Sequence, residues 1–125
     1  MIDIRGLVQS TLDNYFKGSL LAFWQKKMGD LDEYIVYTLG GDSSDFIADD
    51  TPWIKSAEVT LRYYYQDQKL ETQEGRNTIK LAENNILMAM ENAGFESSNG
   101  FFDAGDVDDI GFFTSVGEFN YSRVI

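Results

Sequence analysis

The side chains best suited to chemistry in this sequence are carboxylates, and their densest group lies near the C-terminal end of the chain. Its members are Asp103, Asp106, Asp108 and Asp109, followed by Gly111. A calcium loop starting at Asp106 needs oxygen ligands at positions 1, 3 and 5, glycine at position 6 and glutamate at position 12. Position 5 is Ile110 and position 12 is Gly117, and the flanking segments are predicted strands rather than helices. We therefore expect a solvated acidic turn and no metal site.

A second group of acids lies in a long irregular segment, residues 42–54, which has no basic residue. Segments of this length in small domains often carry function. Two interpretations stay open. Either the aspartates dock on a basic partner surface with Trp53 as an aromatic anchor, or Trp53 fills the edge of the core and the aspartates are solvated. The two acidic segments supply the candidate protein-interaction residues, which are Asp42, Asp45, Phe46, Asp49, Asp50, Trp53, Asp106, Asp108 and Asp109.

The charge of the chain and its missing residue types argue against several functions. It has 21 acidic and 10 basic residues, a formal net charge of −11, and neither histidine nor cysteine. Such a field repels nucleic acid and anionic membranes. Without imidazole and thiol there is no Ser–His or Cys–His pair, no disulfide and no thiolate zinc site. We expect no enzyme and no cofactor. A carboxylate pair of the glycosidase type is defined by spatial distance, so an enzyme of that kind remains an alternative.

Three consecutive tyrosines, Tyr63, Tyr64 and Tyr65, lie in a segment where polar and apolar residues alternate. Aromatic side chains of this kind stack on single-stranded nucleic acid when a basic groove accompanies them. Only Arg62 and Lys69 are close in sequence, so the groove is missing. We predict that the tyrosines pack in a sheet, with two side chains on one face and the third on the other.

The first helix is predicted from apolar residues at i, i+3, i+4, i+7, i+8 and i+11, starting at Ile4 and ending at Tyr15. Asp3 is its predicted N-cap, and Lys17-Gly18 its predicted end.

The second helix is predicted from about residue 70 or 72 to residue 93, with Gly75 weakening its first turns. Gly94 suits the left-handed position after the helix, and Phe95 is expected to fold back on Met90. The predicted sheet-facing residues are Ile79, Ala82, Ile86, Ala89, Met90 and Ala93.

The remaining segments indicate strands and a single α+β domain covering residues 1–125. The predicted strands are residues 20–24, 34–39, 57–65, 101–104 and 112–124. The order α-β-β-β-α-β-β favours a small mixed or antiparallel sheet with two helices packed on it. The long strands at the ends of this order are expected to offer sheet edges to neighbouring subunits.

The N-terminal residues lack the basic start and the long apolar run of a signal peptide, and no apolar run is long enough to span a bilayer. We expect folding in a reducing cytoplasm.

Several segments, taken in order, resemble a known family over nearly the whole chain. They are the N-terminal helix, Tyr34-Ile35-Val36-Tyr37, the irregular loop, the strand at 59–65, the helix end at Ala93-Gly94-Phe95 and a closing Phe-x-Tyr-Ser-Arg strand at 119–123. In this pattern the chain resembles the siphophage tail terminator (tail completion) proteins, including those encoded by prophages of Gram-positive bacteria. None of the segments is a catalytic motif.

The resemblance implies a virion protein that assembles in the bacterial host cytoplasm. The subunits would form a homo-oligomeric ring, usually a hexamer, that caps the tail tube and meets the head–tail connector proteins. Genomic DNA would pass through the lumen without specific binding, which an acidic surface suits.

Two alternatives accompany this expectation. One is another neck or minor tail protein, because these have similar sequences. The other is an acidic inhibitor that imitates DNA, which predicts carboxylates spaced like phosphates along one extended face.

Overall fold

The structure is a computed structural model, and it describes residues 4–40, 54–106 and 111–124. Within them lie two α-helices, a short 3-10 helix and five strands. Their bounds are α1 Ile4–Phe16, β1 Ala22–Trp24, β2 Glu33–Gly40, β3 Ile54–Gln66, the 3-10 helix Asp67–Glu71, α2 Gln73–Asn92, β4 Phe95–Asp106 and β5 Phe112–Val124. The predicted α+β class and element order are confirmed. The predicted cap Asp3 lies outside the described residues.

The five strands form one mixed sheet in the order β1-β2-β3-β5-β4. β1 runs parallel to β2, and every other neighbouring pair is antiparallel. β5 pairs on both sides, with β3 and β4, so the expectation that this long last strand would offer an edge is wrong. β5 lies inward, between β3 and β4, and the sheet ends instead at β1 and β4.

Both helices cover the same face of the sheet, and the core lies between them and the strands. The buried helix residues are Val8 and Leu12 from α1 and Ile79, Ile86, Ala89 and Met90 from α2. The buried strand residues on this face are Ile35, Tyr37, Val59, Leu61, Tyr63, Tyr65, Phe95 and Phe119. Large apolar side chains buried in this way each contribute about 1.5–3 kcal/mol to folding. The predicted alternation of the middle strand and the predicted inner face of the second helix are therefore confirmed.

The end of α1 follows the sequence expectation. Lys17 and Gly18 both have positive φ, 51° and 90°. The Lys17 amide still donates to the carbonyl of Asp13 at 2.8 Å, which closes the last turn. The chain then reverses, so that β1 runs beside the helix it has just left.

The ends of α2 are capped by its own flanking residues. At the start, the Gly75 amide donates to Oγ1 of Thr72 at 3.0 Å, which satisfies one of the free donors of the first turn. At the end, Gly94 has a φ of 101° and its amide donates to the carbonyl of Glu91 at 3.0 Å. This is the left-handed stop predicted for Gly94.

β4 is longer than predicted. The sequence indicated a strand at residues 101–104, whereas β4 starts at Phe95, directly after α2. Its register against β5 shifts between Ser97 and Phe101 and again between Asp103 and Gly105. The first half of β4 was not predicted because the polar residues before Phe101 do not alternate with apolar ones. A bulged edge strand does not keep strict alternation.

The face of the sheet opposite the helices carries a second, smaller group of aromatic side chains. Tyr34 of β2 stacks on Tyr64 of β3, with ring centroids 4.6 Å apart. The ammonium of Lys27 lies 4.8 Å from the centroid of Tyr34 and 5.4 Å from that of Phe112. The tyrosine run thus packs in the sheet as predicted, with Tyr64 alone on this side.

Candidate functional site

Most of the residues predicted to contact a partner fall outside the described part of the chain. Those residues are Asp42, Asp45, Phe46, Asp49, Asp50, Trp53, Asp108 and Asp109. Asp106 is the last residue of β4, and its backbone pairs with Phe113 of β5. The described residues therefore place only one of the predicted contacts, at the edge strand of the sheet.

The structure brings together a group of polar side chains that the sequence did not reveal, between α2 and the middle of the sheet. Ser115 of β5 is fully buried, and its hydroxyl donates to Oε2 of Glu83 on α2 at 2.5 Å. Tyr63 of β3 lies directly opposite Ser115 in the sheet and is also fully buried. A serine and a glutamate far apart in sequence thus link the helix to the centre of the sheet.

A second carboxylate lies at the end of the same group. The Tyr63 hydroxyl donates to Oε2 of Glu33, at the start of β2, and Oε1 of Glu33 is 2.9 Å from the ammonium of Lys69. Lys69 belongs to the 3-10 helix that precedes α2. The chain Lys69–Glu33–Tyr63 therefore ties this helix to two neighbouring strands.

Both core tyrosines hold their protons tightly. Burial, the hydrogen bond to Glu33 and the charges of Glu33 and Glu83 raise the pKa of Tyr63 well above its usual range. Burial also raises the pKa of Tyr65, although a hydrogen bond with Ser115 acts in the opposite direction. Both phenols stay protonated at neutral pH, and neither is suited to act as a base.

The chemistry open to this polar group is set by its accessibility. A nucleophile must reach its substrate, yet the side chains of Ser115 and Tyr63 have no exposed surface. The Ser115 hydroxyl instead donates to Glu83 of α2, and the Tyr63 hydroxyl donates to Glu33 of β2. The group acts in the fold, where a donor to a charged partner typically contributes about 1.5–3 kcal/mol.

A small polar concavity lies on the face of the sheet away from the helices, near residues 58–60 of β3. Its volume is about 130 Å³, below the roughly 300–1,000 Å³ of ordinary small-molecule pockets. Its lining residues are Glu58, Val59, Thr60, Ser98, Glu118, Phe119 and Asn120. The exposed carboxylates Glu58 and Glu118 lie on neighbouring strands here. Among the described residues, no group of three or more acidic side chains is arranged to hold a metal ion.

Comparison with protein families and curated proteins identified no relative of this chain, since no family model and no curated protein matches it. No helix in the described ranges is both long and apolar enough to cross a membrane. Function must therefore be argued from the surfaces of the molecule itself.

The β1 edge of the sheet, which consists of β1 and the residues of α1 that lie along it, exposes a large aromatic side chain. Trp24 is 42% exposed, and the guanidinium of Arg5 lies 4.2 Å from its ring centroid. Gln9 of α1 donates to the carbonyl of Ala22 at 3.0 Å and accepts from the Tyr37 hydroxyl at 2.7 Å. These bonds fix α1 beside β1, and tryptophan is among the residues most enriched at interface hot spots.

The β4 edge of the sheet is the outer side of β4. Within the described residues, β4 pairs with β5 alone. Phe102 is 47% exposed there, and Asp103, the next residue, is exposed on the other face of the strand. Exposed strand edges invite pairing or side-chain contacts with another chain.

The sequence interpretation passed over Trp24 and Phe102 because both lie in predicted strands. A signal was present for Trp24, which ends a short apolar run and is followed by the polar residues Gln25, Lys26 and Lys27. Such a combination is typical of a surface tryptophan.

Proposed function

We propose that this chain is a structural protein of a phage tail, of the tail terminator type. Its subunits form a homo-oligomeric ring, a hexamer by the family resemblance, that caps the tail tube and meets the head–tail connector proteins. It assembles in the host cytoplasm and remains in the virion tail. It binds no cofactor, and DNA passes the acidic lumen without specific contacts.

The element order carries this proposal. The sheet with two helices on one face has the succession of helices and strands on which the resemblance rests. The surfaces are compatible with it, because a ring needs two different contact surfaces on each subunit, and the two sheet edges each expose an aromatic residue, Trp24 and Phe102.

The test combines the purified protein with a tail tube protein that polymerises by itself. We expect added protein to stop tube growth and electron micrographs to show a ring at one end of each tube. An acidic protein of similar size serves as control for nonspecific effects of charge. Tubes of unchanged length and uncapped ends at saturating protein would contradict the proposal.

A further inference from the structure

Charge is distributed unevenly between the two edges of the sheet. Four of the ten basic residues lie in α1 or shortly after it and β1, at Arg5, Lys17, Lys26 and Lys27. No lysine or arginine occurs between Lys80 and Arg123, a segment that contains the whole of β4. Residues 4–27 contain these four basic residues and one acid, Asp13, before the acids Asp30, Asp32 and Glu33 follow. The chain is strongly acidic on average, so the excess of positive charge in residues 4–27 is a local departure from its composition.

Basic and aromatic groups lie together at the β1 edge. Arg5 packs on Trp24, which places the start of α1 at the end of β1. The pairs Arg5–Trp24 and Gln9–Ala22 show that α1 runs antiparallel to β1. Lys17 therefore follows the end of α1 that lies toward the start of β1, and Lys26 follows the end of β1. Lys17 and Lys26 are exposed. Asp13, which accepts from Gln9, is the acid of this helix.

Acidic and aromatic groups lie together at the β4 edge. Glu96, Phe102 and Asp103 are exposed along β4. The register places Asp103 on the helix side of the sheet, opposite Ser115, and places Glu96 and Phe102 on the other side. Neither carboxylate has a salt bridge or a hydrogen-bonded partner among the described residues. The two edges are thus opposite in charge and similar in carrying one large exposed aromatic residue.

We propose that a second copy of this chain docks on the molecule head to tail, with the β1 edge of one copy against the β4 edge of the next. This docking rests on the proposed function, since it names the surfaces through which the ring forms. Edges at opposite sides of one sheet are different surfaces, so the contact is heterologous and repeats from copy to copy until it closes.

Charge complementarity between the two edges favours a second copy of this chain as the molecule that docks here. Two molecules of net charge −11 repel each other in most orientations. The approach of a positive edge to a negative edge is the orientation in which local attraction opposes this repulsion, and both edges are present on every copy. Trp24 and Phe102 then add apolar contact where the charges meet.

The contact uses side chains rather than a sheet that continues between copies. The outward carbonyl of Ala22 already accepts from Gln9, and that of Trp24 accepts from the Lys26 amide at 2.8 Å. A neighbouring strand would find these acceptors occupied, while the bulges of β4 disrupt the other edge.

Charge reversal at each edge tests the docking by sedimentation velocity over a range of concentrations. The variant K17E/K26E makes the β1 edge negative, and E96K/D103K makes the β4 edge positive. In an assembly of either variant alone, every contact brings together two edges of the same charge. We expect self-association about tenfold weaker or more than in the wild type, since several exposed ion pairs become repulsions.

Mixing the two variants provides the decisive measurement. Each then meets an edge of opposite sign on the other, so equimolar mixtures should regain assembly, with the two variants alternating around the ring. A mixture as weak as its components would overturn the docking mode. So would a wild type that stays monomeric up to its highest soluble concentration.

Matched variants control for net charge. E71K/E74K makes the same change in net charge as E96K/D103K, but on exposed residues around the start of α2. K80E reverses one lysine on the exposed side of α2 and makes half the change in net charge of K17E/K26E. Both should associate as the wild type does; equal weakening would show that overall charge, not the edges, governs assembly.

The outcome separates this docking mode from the proposed function. Tube capping by the wild type, with assembly insensitive to both edge variants, would sink the edge contact and leave the tail role standing. Assembly that depends on the edges, without any effect on tube growth, would support the edge contact and contradict the proposed tail role.

Discussion

Ser115 and Glu83 join the centre of the sheet to α2 through one short hydrogen bond of 2.5 Å. The serine is fully buried and the glutamate is partly buried. A buried donor to a carboxylate is costly to remove, because the charge keeps its desolvation and loses its partner. The bond therefore stabilises the attachment of α2.

Removing this donor should destabilise the protein. We expect S115A to lower the free energy of unfolding by about 1–3 kcal/mol, and E83Q, whose amide oxygen still accepts, to cost less. In the double variant, the loss in the free energy of unfolding should be about 1 kcal/mol smaller than the sum of the two single losses. Urea denaturation measures all three, with S10A as the control on the exposed side of α1. Simple additivity would mean that the bond contributes nothing.

Removing the hydroxyl of Thr114 should have the opposite effect. Thr114 is fully buried, and its Oγ1 has no hydrogen-bond partner within the described structure. Valine has the same shape without the unpaired polar atom, so we expect T114V to raise the free energy of unfolding by about 1 kcal/mol. T38V, at an exposed strand position, is the control and should be close to neutral. A destabilised T114V would show that the hydroxyl has a partner.

Stability should fall in alkaline solution because of the core tyrosines. The raised pKa of Tyr63 and of Tyr65 means that the folded state keeps protons that the unfolded state releases from about pH 10 upward. Their contribution is therefore complete below that pH and is lost as the pH rises. Each retained proton gives a slope of about −1.4 kcal/mol per pH unit.

The variant Y63F isolates one of these protons. Its free energy of unfolding should fall less steeply above pH 10 than that of the wild type, by about 1.4 kcal/mol per pH unit. Other groups titrate alike in both proteins, so the difference in slope belongs to Tyr63. S10A, on the exposed side of α1, removes no titrating group and should keep the steep slope. Parallel curves for Y63F and the wild type would refute the assignment.

The elements with strong periodicity were predicted well. Polar and apolar residues alternate along β3 because its inner side chains, such as Leu61 and Tyr63, pack in the core under the helices. Apolar residues recur at helical spacing along α2 because one side of this helix packs on the sheet. The left-handed stop at Gly94 was also predicted from its residue type. In these segments local pattern and tertiary contact agree.

The order of strands and the length of β4 could not be predicted in the same way. Pairing of β5 with β3 depends on contacts between residues far apart in sequence, such as Leu61 with Gly117. Small residues interrupt the inner face of β5 for a tertiary reason. A side chain at Gly117 would begin 3.0 Å from the ring of Phe101, which occupies that space.

The polar group under α2 had no local signal either. Ser115 and Glu83 are separated by 32 residues, and nothing in the type of either residue indicates a buried contact. The residues predicted to contact partners in the acidic segments remain predictions, since all of these candidates except Asp106 lie outside the described chain. The sheet edges emerged only when the strand order placed β1 and β4 at opposite sides.

Gly75 departs from the usual rule for a glycine in a helix. Gly75 lies in the first turn of α2, where replacement by alanine ordinarily gains about 1 kcal/mol. Here an added Cβ would lie 2.2 Å from the carbonyl oxygen of Lys69, a backbone atom of the 3-10 helix. Arg76 holds that helix close, because its guanidinium donates to the carbonyl of Leu70 at 2.6 Å.

The close turn between the two helices therefore requires glycine. We expect G75A to lower the free energy of unfolding by about 1–3 kcal/mol, as overpacking does, whereas N84A at an exposed position of α2 should raise it slightly. Because Lys69 also pairs with Glu33, a displaced 3-10 helix should weaken that bridge, and adding E33Q to G75A should then cost less than E33Q alone. A stabilised G75A would mean that the turn relaxes freely and that the two helices are not held together.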